Sequence, residues 1–221
     1  MASVGAQPGS PEQLAAAMAQ ASAQQAYELF KNKEYRRSAR LDALHPVEQD
    51  RIFNELVVAH VVLIMLVLEA PDLRVPPVSR ERLAGLKEAV PKAYVDNLRT
   101  LGVENEHLLV WEKLISLRYE EYAKDRHEVR SAAMHLEAKE KALDLDDLSW
   151  IQLLVPVQAV AIGCHHHVCR GDTDGRDELF KLTVKALARF YADVRIRLEG
   201  GKITFLMRAR RFLRRLLFPG K

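Results

Sequence analysis

The chain has 221 residues, of which 48% are hydrophobic and 29% charged, with a formal net charge of +3. That length and balance provide one core of ordinary size and exclude a wholly disordered chain. The charge is uneven: Lys202, Arg208, Arg210, Arg211, Arg214, Arg215 and Lys221 have no acid among them, which leaves 26 basic against 30 acidic residues before them. A mildly acidic body therefore carries a strongly basic end.

The elements are read in chain order. Residues 1–10 lack the basic start and apolar stretch of a secretory signal, and Ala2 rather than glycine follows Met1, so we expect a short disordered leader without N-myristoylation. Ser10-Pro11-Glu12-Gln13 is a helix start: Ser10 accepts from orphan N–H groups, Pro11 suits the first turn and Gln13 reaches back. The Ala- and Gln-rich segment to about Lys33 is predicted as the first helix. Pro46, followed by Glu48 and Asp50, opens a second that runs to Glu69. Its apolar run, Leu56 to Leu68, is thirteen residues interrupted by His60. That is short of the roughly 20 residues of a bilayer-spanning helix, so a central buried helix is expected and no transmembrane segment.

Pro71, Pro76 and Pro77 form a linker, after which a third helix begins at Ser79–Glu81, is kinked or divided by Pro91, and ends at Gly102. Glu104 to about Leu143 is predicted as one long helix, with Trp111, Leu114, Ile115, Tyr119, Tyr122, Val129, Ala133 and Leu136 at helical spacing as packing residues. At about 1.5 Å per residue it reaches roughly 55 to 60 Å, longer than a compact globule, so one end is expected to project or to meet a partner, including a second copy of the chain. Asp144 to Asp147 offer caps for a fifth helix from Leu148 to about Cys169, bent at Pro156. Gly171 closes it, and Asp172 or Asp174 is expected to cap a sixth, amphipathic helix through Leu198. Gly200-Gly201 reads as a hinge before a last helix over 202–218.

The fold expected is all-α: a bundle of about six helices over 11–199, with the second and fifth at its centre and a cationic amphipathic helix beyond the hinge. No P-loop, dinucleotide-binding glycine pattern or internal repeat occurs.

Two segments carry functional chemistry. Cys164-His165-His166-His167-Val168-Cys169 is the densest group of soft ligands. On a helix His165 and Cys169 share one face and Cys164 and His167 another, so each pair offers two ligands to zinc or a related transition metal, where a closed site takes four. Imidazoles at a helix C-terminus are also favoured by its dipole, and this structural role is the stronger expectation. The two cysteines, five apart, are poorly placed for a bridge and are read as reduced thiols in a cytoplasmic protein. A di-iron bundle would require two Glu-x-x-His pairs, and only Glu104/His107 is found; the Asp172–Glu178 segment lacks calcium-loop spacing. His60 is expected as a neutral imidazole satisfied by one neighbour.

The other segment is the basic end. At about 100° per residue, Phe205, Leu206, Ala209, Phe212, Leu213, Leu216 and Leu217 form one apolar arc, with Arg208, Arg211 and Arg215 opposite. This pattern suits an interfacial helix on anionic lipid or an acidic protein partner; it fits nucleic acid less well, because no base-reading constellation accompanies it. The expectation is a non-enzymatic interaction protein, cytoplasmic and peripherally membrane-associated, with no resident cofactor. A metal-binding bundle with redox or hydrolytic chemistry at Cys164–Cys169 is the alternative.

Overall fold

The computed structural model describes residues 10–70, 73, 83, 85–140, 142 and 144–199. Among these the secondary structure is entirely helical: α1 (Pro11–Phe30), α2 (Lys33–Ser38), a 3-10 turn at Leu41–Ala43, α3 (Pro46–Leu68), α4 (Leu86–Thr100), α5 (Asn105–Glu140), α6 (Leu145–Val168) and α7 (Asp177–Leu198). The all-α bundle expected from the sequence is therefore the fold.

The helix starts follow their caps. Ser10 Oγ accepts from the Gln13 amide while Gln13 Oε1 accepts from the Ser10 amide, closing a capping box with Pro11 at the first position. The first helix stops earlier than expected, at Phe30. Asn32 then accepts from the Glu34 and Tyr35 amides and starts α2, which seats Tyr35 in the core. Asp144 and Asp147 form a second box, so α6 begins at Leu145, three residues before the expected start. The expected cap of α7 is not there: its N-cap residue is Arg176, with no side-chain cap bond, and Asp177 and Glu178 in the first turn favour the positive end of the helix instead. Pro91 lies inside α4 without dividing it. Gly102, at φ 86°, ends α4 with its amide on Arg99 and that of Val103 on Leu98, the paired bonds that a left-handed residue after a helix permits.

Every residue of α3 from Leu56 to Val67 is buried. The helix packs against α1, α4, α5, α6 and α7, so a side chain on any of its faces meets another helix. α6 is apolar but less enclosed: its C-terminal half is mostly buried, while Gln152, Leu153 and Leu154 are half-exposed. Both helices are long and apolar enough to cross a membrane by length and composition, with 78% and 56% of the relevant windows buried in the bundle.

α5 matches the expected long helix. Leu108, Ile115 and Tyr122 are buried, and no residue from 123 to 139 is. Leu136, read as a packing residue, is 63% exposed. α3 ends at Leu68, where Arg126 of α5 reaches Glu69, so the last 14 residues of α5 run about 20 Å past that point without it.

Candidate functional site

The Cys/His segment occupies the last turns of α6, and its side chains part toward different neighbours. Cys164 faces the core beside Tyr122 of α5 and Tyr35 of α2, and burial pushes its thiol well above the usual range. His165 is buried against Phe180 of α7, with ring centroids 5.4 Å apart, and burial lowers its basicity. His167 turns to α5, where its Nε2–H donates to Glu121, 2.7 and 2.9 Å from the two carboxylate oxygens. Cys169 is buried near Arg176, its thiol also raised by burial. His166 is exposed. The i,i+3 and i,i+4 pairs exist as expected, but each pair closes on apolar rings or a single carboxylate. Among the described residues no three His, Cys, Asp or Glu side chains come together to hold a metal ion.

The imidazoles do lie at the negative end of α6, and its carbonyls are satisfied by more than the dipole. Arg170, at φ 53°, and Gly171, at φ 82°, donate back to His167 and His166 respectively. Arg51 of α3 donates from Nη1 to the His167 carbonyl at 2.8 Å and from Nη2 to that of Val168 at 3.0 Å. Glu48 holds both guanidinium groups, Arg51 at 2.7 Å and Arg170 at 2.6 Å, and the hydrogen bonds from Arg170 and then Arg51 bring its carboxyl down to about 2.

A second polar seam was not foreseen in the sequence. Arg118 of α5 donates to both oxygens of buried Glu55 on α3, at 2.7 and 3.0 Å, and on to Glu121 at 3.3 Å, which in turn accepts from His167. The chain Glu55–Arg118–Glu121–His167 thus ties three helices together. One signal was available: Glu55 is the only charged residue between Arg51 and Glu69 in an otherwise apolar helix, and a buried acid requires a partner. Sequence spacing does not identify that partner, which lies 63 positions away.

His60 is fully buried, and its Nδ1–H donates to the Leu56 carbonyl at 2.7 Å while Nε2 finds no partner. Desolvation lowers it to about 4, which keeps it neutral as expected. Glu104 and His107 are both exposed at the start of α5. A crevice between α1 and α7, lined by Met18, Ala21, Phe190 and Val194, offers about 30 Å³, room for water rather than a substrate.

Phe205, Leu206, Arg208, Arg211, Phe212, Leu213, Arg215, Leu216 and Leu217, and the hinge at Gly200-Gly201, lie outside the described residues. No protein-family model, characterised protein or solved structure matches this chain.

Proposed function

We propose that the chain is a non-enzymatic helical interaction protein whose basic C-terminal segment, 202–218, docks on an anionic lipid surface. The observation that carries this is the composition of that segment: six basic residues, no acid, and seven apolar residues whose sequence spacing, projected at about 100° per residue, falls in one arc. Basic residues near an anionic membrane each contribute about 1 kcal/mol, and large apolar side chains add insertion into the interface. The body supports the reading by contrast. Glu48, Glu55, Glu69 and Glu121 already hold arginine side chains of their own chain, and four of the soft ligands near the end of α6 do not converge on one point. The alternative of redox or hydrolytic chemistry at Cys164–Cys169 finds no convergent set of ligands among the described residues.

The test is partition of the full chain onto vesicles of phosphatidylserine and phosphatidylcholine. Phe212→Asp should abolish binding through the apolar arc, whereas Arg211→Ala should weaken it by about fivefold, one basic residue's worth. The reverse order would mean attachment by charge alone. Indifference of both variants and of the parent to anionic lipid would favour an acidic protein as the docking partner.

A further inference from the structure

α5 rests on the bundle with Leu108, Ile115 and Tyr122 and turns its opposite face to solvent. With Lys113 as origin and about 100° per residue, Glu106, Leu109, Val110, Leu117, Glu120 and Lys124 fall within about 60° of it. All seven residues are exposed. A solvent face is usually polar, yet Leu109 is 66%, Val110 60% and Leu117 49% exposed, three large apolar side chains within about two turns of one row.

The charges along this row decide what can cover it. In chain order they are Glu106, Lys113, Glu120 and Lys124. A second α5 laid alongside in the same direction sets Glu106 against Glu106 and Lys113 against Lys113. Laid antiparallel about a twofold axis near Ile115, it sets Glu106 against Lys124 of the second copy and Lys113 within a turn of its Glu120. Leu117 of the two copies then meets near the axis, and Leu109 and Val110 of each copy lie within about a turn of Leu117 of the other. A twofold interface has to be self-complementary in this way, residue i meeting residue j and j meeting i. We infer that this face of α5 is the interface of a homodimer, formed by antiparallel packing of two copies of the helix between Glu106 and Lys124. Contact of two helices over five turns buries on the order of 1,000 Å², at the small end of specific interfaces, so the dimer is reversible and concentration-dependent.

Sedimentation equilibrium of the full chain from about 1 to about 100 µM tests this. The parent should pass from monomer to dimer across that range. Leu117→Asp should raise the dissociation constant at least about tenfold with an unchanged far-UV spectrum and melting temperature, since Leu117 is exposed in the monomer. Leu117→Ser serves if the aspartate disturbs the helix. Glu106→Lys and Lys124→Glu should each weaken the dimer, and the two together should restore it, because only the antiparallel register brings those positions together. A parent that stays monomeric throughout overturns the inference. So does a dimer that Leu117→Asp leaves intact, which would place the contact elsewhere, or a double charge swap that fails to restore association.

Discussion

His60 sits on α3 where a charge has nowhere to go. Its folded form resists protonation until about pH 4, while the unfolded chain takes the proton near 6.5. The stabilising contribution is therefore complete above pH 6.5 and is lost as the pH falls from 6.5 to 4. Its size is roughly 3 kcal/mol from the 1.4 kcal/mol that each unit represents. Urea titrations of the parent across that window should show the loss, and those of His60→Leu should show much less of it. Glu48 acts in a lower window: its depressed carboxyl stabilises above about 4.5, and that contribution falls away toward pH 2. Gly163 is a second residue with a sharply defined role. A Cβ there would lie 2.1 Å from Cε1 and 2.5 Å from Cδ1 of Tyr122, so α5 and α6 approach closely because the side chain is missing. Gly163→Ala should cost about 1 to 3 kcal/mol by overpacking, and adding Tyr122→Leu should cost less than the sum of the two singles. Additive losses in the denaturant midpoints would show that the ring is not what the methyl meets.

At the scale of elements, the C-terminus of α6 is held by Arg51 from another helix. Arg51→Met keeps the stem and removes the donors, so two carbonyls lose their bonds and Glu48 loses a partner; we expect a loss of about 1 to 3 kcal/mol. Faster amide exchange at 169–171, just beyond α6, with the rest of the helix unchanged would locate the effect. The central position of α3 was legible because an apolar surface all the way round has only one place to go. Leu63→Ala should accordingly cost on the order of 2 to 5 kcal/mol by the cavity it leaves. α6 is as apolar as α3 averaged over its whole length, yet Leu154 is only half-buried, so Leu154→Ala should cost well under that range; a loss equal to that of Leu63→Ala in the same titration would place α6 at the centre after all. Hydropathy counts apolar side chains but not how many helices surround them, and that is why the two helices looked alike. Caps were legible where a side chain makes them, at Ser10 and Asp144, and misread before α7, where Asp172 and Asp174 have suitable chemistry but the chain turns helical only at Asp177. The Cys/His faces were also drawn correctly from helical spacing. What lay opposite each face, Phe180 for His165 and Glu121 for His167, depended on packing between helices, which spacing within one helix does not specify.

The molecule as a whole divides its charges into two classes. Within the bundle, the bound acids form local sets with basic partners: Glu55 with Arg118 and Glu69 with Lys87 and Arg126 join different helices, while Glu48 takes Arg51 from its own helix and Arg170 from beyond the end of α6. Beyond Glu199 the sequence supplies basic residues with no acid to meet them. Glu199 itself belongs to the bundle, since it pairs with buried Arg195 one turn earlier, and a truncation meant to leave the body intact should end after it. The direct measurement is co-sedimentation of the full chain, and of a chain ending at Glu199, with anionic and with neutral vesicles over a range of salt. The account predicts that the full chain pellets with anionic vesicles alone, that salt weakens this as screening grows, and that the shortened chain stays folded in solution. A folded full chain that ignores anionic vesicles at low salt, or a shortened chain that binds them as well as the full one, would contradict it.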